Sequence, residues 1–562
     1  MSITANRKKL SYRLLEASLG LSSIGFLLLV LILAWYRPII LAVFILIYSF
    51  LWLLKFTANT FYTLSSFRQF TRWQKIKWQK YLDEFENLDK TLLLYRELQL
   101  QYVNKIDWKN SLDKLIQDRR NIVGTKFEKP KELYQVAIFS TYNEGLEVLS
   151  KSLKYLYESQ WELTHLIVII SQEARAGMVH NQSLRAGVAS LDYSNSAFLD
   201  ELSDSSNFVI NPSKLSILFT EHPDGREGEI KGKASNEDWG ARQITKYLEQ
   251  KGIDLDMVLV TSLDADSHIQ PFFFHNLGIQ YCLTPGREQV GFQPVHNYSN
   301  NFFEVGFLPR QIASQTTFFN LTNLAISDQA TFFAIYSCSM ATLKEVDYWV
   351  TDVIAEDAVL FYKCLIHFNG NFKVVPHYGL FAGDAVEASD YLQEVINQYK
   401  QLQRWAWGGV EAFPYLFEGL FGDTSSKDFP LKQKLKWIYL LFSNHFFWSS
   451  TSFVLSVGVL LPWLLHGEDF GSSNTGQNLA LLTQYFSWLS IILTTAFGFL
   501  TMVFVASRAN NFKRLSVMQI ALVIFQFAIS PLIFGLMGLP ALDAQIKGIT
   551  GNYLGYWVTP KS

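Results

Sequence analysis

The apolar positions of this chain follow two patterns in different regions. Toward both ends they run almost unbroken for the length of a bilayer crossing, and in the middle they come as short β-branched runs between amphipathic stretches. Residues 19–36 are long and apolar enough to cross a membrane as a helix. Arg37-Pro38 interrupts them, and residues 39–54 follow as a second span with Trp52 and Lys55 as interfacial anchors. The pair predicts a helical hairpin with a tight external turn. Arg7, Lys8, Lys9 and Arg13 precede it, and Arg68, Arg72, Lys75, Lys77 and Lys80 follow, so both flanks are expected on the cytoplasmic side. Residues 437–465, 481–506 and 515–539 are three further segments of spanning length. An odd number of spans puts the C-terminus outside, whereas Pro531 and Pro540 leave room for a re-entrant last segment that returns it. A buried hairpin of a soluble protein is the competing reading of the first two segments, and the similar C-terminal third argues against it.

Between these ends, residues 129–381 alternate strand-like and helix-like segments, the pattern of a parallel α/β sheet. Strands are predicted at 134–140, 166–170, 213–219 and 257–263, and helices at 146–159, 234–249, 352–365 and 393–409. Residues 181–211, polar and rich in Ser and Asn, read as an insertion. Residues 68–120 are charged and helix-favouring. The aromatic and basic residues of 67–78 suit either an anionic membrane surface or a helix packed on the next domain. The expected organisation is a transmembrane hairpin (1–66), a cytosolic helical linker (67–128), an α/β domain (129–390), amphipathic interface helices (391–430) and a C-terminal transmembrane region (431–562).

Composition narrows this little further. The 562 residues leave room for more than one domain, and a net charge of −2 implies no nucleic-acid partner. Cys282, Cys338 and Cys364 form no zinc pattern and no disulfide framework, which fits a reducing compartment. The first apolar segment is too long for the core of a cleavable signal peptide.

The candidate chemistry gathers where predicted strands end. Residues 257–263 are a buried-strand run that breaks into Asp264-Ala265-Asp266. Positions i and i+2 of an extended chain share a side, so two carboxylates lie together just past a strand's C-terminal end, where open α/β sheets bind ligands. Paired hard oxygens there suit Mg²⁺ or Mn²⁺ with phosphate oxygens and water, and an acidic turn is the plainer alternative. The loop Gly228-Glu229-Ile230-Lys231-Gly232-Lys233 opens a helix, as an anion cradle or as a simple cap. Glu356 and Asp357 fall in the first turn of a predicted helix, where acids complement the helix dipole. Gln401-Leu402-Gln403-Arg404-Trp405 suits a stacking and ion-pairing surface or a packed amphipathic helix.

Taken in order, these motifs resemble the membrane-embedded family 2 glycosyltransferases, the group that includes cellulose, chitin and hyaluronan synthases. The likeness runs from about Val136 to Trp405. Ser140-Thr141-Tyr142-Asn143-Glu144 looks like the family's nucleotide-binding stretch. Glu173 is the nearest candidate for its base-holding acid. Lys231, with Asn236, and Lys233 are two versions of its phosphate-side lysine. Asp264-Ala265-Asp266 matches its D-x-D, and Ala355-Glu356-Asp357 its T-E-D with Ala for Thr. Gln401, Arg404 and Trp405 match Q-x-x-R-W unchanged, and the tail at Trp557-Val558-Thr559-Pro560-Lys561 resembles the family's ending.

The resemblance implies a GT-A-like, Rossmann-like, mostly parallel cytosolic domain beside an α-helical transmembrane region. It implies inverting transfer from a nucleotide-diphosphate sugar, a UDP-sugar first, to a saccharide acceptor in polysaccharide synthesis. Asp264 and Asp266 would hold Mg²⁺ or Mn²⁺, Asp357 would act as base beside Glu356, and Thr141, Tyr142, Glu144, Glu173, Lys231 or Lys233, Gln401, Arg404 and Trp405 would bind substrate. Transfer of a single sugar to a polyprenyl phosphate or glycolipid is one alternative. A nucleotide-binding transporter or scaffold is another, and the scarcity of charge within the apolar segments speaks against it. No protein partner is indicated.

Overall fold

The computed structural model describes residues 3–101, 106–199, 208–423, 425–472, 474–508, 516–519, 521–522, 525 and 535–557. The central region forms one mixed sheet of nine strands: β1 (Tyr134–Thr141), β2 (Leu166–Glu173), β3 (Ser194–Phe198), β4 (Leu215–His222), β5 (Val258–Leu263), β6 (His268–Ile269), β7 (Val290–Asn297), β8 (Tyr336–Ser339) and β9 (Lys373–Ala382). Their order is β3-β4-β2-β1-β5-β8-β7-β9-β6. The first five in this order are mutually parallel, β8 runs against both β5 and β7, and β7 and β9 are parallel.

The apolar runs explain why this sheet is covered on both sides. Side chains alternate with period two, so an all-apolar strand feeds two cores. Val136, Ile138, Ile167, Ile169, Val258 and Val260 join one cluster with Ala241, Ile244 and Leu248 of α5 (Lys233–Gln250) and Leu360 and Leu365 of α8 (Glu356–His367). Ala137, Phe139, Val168, Ile170 and Leu259 face the other way. They pack on α3 (Leu146–Tyr157), α4 (Met178–Ala189) and α6 (Phe273–Leu283). Part of the polar stretch read as an insertion is instead α4 and the edge strand β3, and 200–207 lie outside the described residues. A Ser-Asn-Ser strand is tolerated there because only one of its neighbours is a strand.

The apolar ends form long helices. α1 (Leu10–Tyr36) and α2 (Pro38–Trp73) meet at Arg37, and α2 runs far past the predicted span. Its end docks on the sheet: Phe70 is buried with Val295 and Leu380, and Trp73 stacks on Tyr378 at 6.0 Å. α11 (Asn474–Arg508) packs along α2 and against α7 (Phe307–Ala325), with Thr63 bonded to Thr322 at 2.8 Å. Among the described residues, three helices, Leu10–Tyr36, Pro38–Trp73 and Gly476–Val503, are long and apolar enough to cross a membrane. There are up to four if Leu431–Gly458 and Leu461–Gly467, bent by 40°, count as one span. The predicted span at 515–539 lies largely outside the described residues.

α9 (Tyr391–Phe421) carries the Gln401-to-Trp405 motif, and α10 (Leu431–Phe453) follows it. The predicted end of α9 at Gly408-Gly409 does not stop the helix, because Gly409 sits at its contact with His445. α12 (Leu539–Thr550) packs on α9 and α1, and it brings residues 551–557 back toward the start of α5 and Arg404 of α9. The described C-terminal segment therefore lies against the α/β domain.

Candidate active site

Parallel pairing aligns the C-terminal ends of β1, β2, β4 and β5, opposing Thr141 to Gln172, Glu173 to His222 and Phe139 to Leu263. α5 begins above this edge. Asn236 in its first turn donates to the carbonyl of Ser171 at 2.8 Å, while the Ser171 hydroxyl donates to the Asn236 carbonyl at 2.8 Å. This fixes the helix start over the strand ends and aims Lys233 into the crevice. The Lys233 ammonium is buried, 2.9 Å from Asp264 Oδ1, 3.1 Å from Glu356 Oε1 and 3.8 Å from Glu237 Oε1. Burial alone would lower its pKa; Asp264, Glu237 and Glu356 overturn that and hold it well above the usual lysine range. Burial in turn pushes Glu356 up, with Lys233 opposing the shift.

Asp264 and Asp266 flank the buried Ala265, whose carbonyl accepts the Ser152 hydroxyl at 2.7 Å. The two acids differ in setting. The Asp264 side chain is 34% exposed, while Asp266 is 5% exposed and its Oδ2 accepts the Asp384 N–H at 3.0 Å. Asn300 ties Asp384 Oδ1 at 2.9 Å. Among the described residues no three His, Cys, Asp or Glu side chains form an all-protein metal cage. A cation shared with a diphosphate needs only one or two carboxylates, and Asp264 and Asp266 offer hard oxygens of that kind. Carboxylates here also outnumber Lys233 and Arg404, so a diphosphate would bring more negative charge into an already acidic crevice. The residues present fit Mg²⁺ or Mn²⁺.

α8 presents two further acids, Glu356 and Asp357, in its first turn. Asp357 accepts the N–H of Ala334 at Oδ2 (2.9 Å) and that of Ala358 at Oδ1 (2.7 Å). Ala334 has φ +55°, in the left-handed region that a non-glycine residue occupies at a cost, and its carbonyl also accepts from Lys233 at 3.4 Å. One strained residue thus touches both the lysine and the candidate base. Arg404 comes from α9. Burial would lower its pKa, but Tyr556, Glu356, Asp264 and Asp357 keep it charged, and its guanidinium lies 5.4 Å from the Tyr556 ring centre.

The remaining predicted residues fall in three places. At the β1 and β2 ends, buried Thr141 bonds the Ser171 carbonyl at 3.4 Å, and Glu144 accepts the Tyr142 N–H at 2.7 Å. The Arg175 guanidinium covers the Tyr142 ring at 3.9 Å and pairs with Glu173. Lys231 is outside the Lys233 cluster: its side chain is 56% exposed and pairs with Asp224 at 2.7 Å. On α9, Gln401 accepts from Gln398 at 2.9 Å, and Trp405 is partly exposed. Sequence reasoning missed Glu237, Ala334, Asp384, Tyr298 and Tyr556. Only Glu237 had a signal, its i,i+4 spacing from Lys233 on one helix. Tyr298, whose hydroxyl is pushed up by burial and by Asp264 and Asp266, and Tyr556, which packs on Gly232, reach the site through tertiary folding.

No protein-family model matches the chain, and neither does a curated protein sequence. Solved structures resemble it over most of its length. The mannosyltransferase PcManGT from Pyrobaculum calidifontis, in complex with GDP-Man and Mn²⁺, is 13% identical over 74% of this chain and 99% of its own, with a TM-score of 0.37. S. aureus TarS 1–349 in complex with UDP-GlcNAc is 12% identical over 68% of this chain and 94% of its own, with a TM-score of 0.28.

Proposed function

We propose that this crevice transfers a sugar, with inversion, from a nucleotide-diphosphate sugar to an acceptor hydroxyl at a membrane surface. The observation that carries the reading is the buried Lys233 between Asp264 and Glu356, at the C-terminal strand ends and linked to Asp357 through Ala334. The leaving diphosphate gathers negative charge as the glycosidic bond breaks, and fixed positive charge there lowers the barrier. Lys233 supplies a point charge and Arg404 a planar fork for two oxygens. Asp264 and Asp266 would hold Mg²⁺ or Mn²⁺, which when bound supplies Lewis-acid stabilisation of that charge. Asp357 takes the proton of the attacking hydroxyl on the opposite face of the sugar; the Ala334 and Ala358 N–H groups fix its orientation. Tyr142 and Arg175, packed together beside Glu173, would stack on the base, and Trp405 would supply a flat apolar face for the acceptor sugar.

The acceptor in this reading is a growing saccharide. The test is purified full-length protein with a panel of UDP- and GDP-sugars, Mg²⁺ or Mn²⁺, and a chelator control. Release of nucleoside diphosphate from one donor, lost in chelator, is expected; no release from any donor overturns the reading. Product length on a gel separates a polymer from a single sugar on a lipid.

A further inference from the structure

The lead into the catalytic helix α8 is held from an unexpected direction. Residues 352–355 precede Glu356 and Asp357 without being helical themselves. Their backbone is bound by Glu411 of α9, which is 1% exposed and accepts the N–H of Ile354 at 2.8 Å and that of Ala355 at 3.3 Å, both at Oε2. Glu411 lies seven residues beyond Arg404, two turns along one face of the same helix. Ile354 packs with Trp407 and Val410 between them. One helix therefore carries both the cation of the site and the anchor for the acids.

The other oxygen of Glu411 faces Arg7, whose Nη2 is 3.7 Å away. Arg7 is itself fixed by Glu16 at 2.7 Å and by the Tyr553 ring, 3.9 Å below its guanidinium. Three residues earlier, the Thr4 N–H bonds Asp352 at 2.8 Å, and Ile3 is buried in the core shared with Val353 and Leu360. The segment ahead of the first apolar helix thus holds, through the Asp352 side chain, the same lead that Glu411 holds by its backbone. Arg7 there is a packing partner as well as a flanking charge.

We infer that Glu411, counter-charged by Arg7, is a positioning residue for Glu356 and Asp357, and that the N-terminal segment belongs to the active-site scaffold. The catalytic consequence rests on the transferase reading; the anchoring does not. A buried carboxylate that satisfies two backbone N–H groups is costly to remove, because those donors are left unpaired. A shift of the acids by about 1 Å is worth about a hundredfold in rate.

Hydrogen exchange of the Ile354 and Ala355 amides, read together with donor kinetics on the full chain, tests this. Glu411→Ala should speed exchange at those amides and lower kcat about a hundredfold, with donor KM within about threefold. Glu411→Gln keeps an acceptor oxygen and should restore most of both. Arg7→Met, which removes the counter-charge of Glu411, should move both in the same direction by less. Wild-type exchange in Glu411→Ala, or a loss that falls on KM alone, overturns the inference. If the wild type turns over no nucleotide sugar, the transferase reading fails while the exchange measurement still decides whether Glu411 anchors the segment.

Discussion

Lys233 is the residue on which the site's electrostatics turn. Its ammonium is the near neighbour of Asp264, Glu237 and Glu356, and three of these four side chains are buried. Removing one partner from a buried charge group leaves the others uncompensated, so Lys233→Met should cost about 3–5 kcal/mol of stability, read as a lower thermal midpoint in detergent. Lys231→Met, which breaks only the exposed pair with Asp224, should leave the midpoint where it is. The sequence offered both lysines in one glycine-rich loop and had no means of choosing. What separates them is where the helix begins: Lys231 precedes Gly232 in the loop, whereas Lys233 is the first helical residue and points at the strand ends. Ala334 was not legible at all, because its left-handed backbone is imposed by what surrounds it.

At the scale of elements, local chemistry foretold the four continuous apolar strands of the parallel part of the sheet and lost what tertiary contacts decide. The four predicted strands appear within a few residues of their expected places because continuous β-branched runs have few alternatives. Five strands were missed: β3 is an edge strand that needs no apolar run, β6 and β8 are short, and β7 and β9 carry Gly, Pro and His among their apolar residues. α8 begins at Glu356, four residues late, because the lead before it bonds to Glu411 instead of starting the helix. α9 runs through Gly408-Gly409 to Phe421 because those glycines serve a helix contact. A Cβ on Gly409 would run into the His445 ring, so Gly409→Ala should destabilise by about 1–3 kcal/mol, measured as a shifted unfolding midpoint. An unchanged midpoint would mean α9 and α10 do not pack as described.

For the whole molecule, the two termini and the site share one side. Arg13 bonds the Tyr553 hydroxyl at 2.7 Å and the Gly548 carbonyl at 3.0 Å, and Tyr556 reaches Arg404. Tags on the N- and C-termini should therefore be cleaved from the same side of sealed vesicles. Protection of one tag alone would contradict this arrangement. Hydropathy gave the N-terminal pair and the helix at 476–503, but not the return of the chain, which depends on α12 packing on α1 and α9. The central claim is that Asp357 takes the acceptor proton in a crevice where Lys233, Arg404 and the Asp264/Asp266 pair hold the donor. The most direct measurement compares donor affinity and sugar transfer in Asp357→Asn and the wild type, using the donor found in the panel. Transfer should fall by about 10²–10⁴-fold with donor affinity unchanged; full transfer by Asp357→Asn would contradict the account.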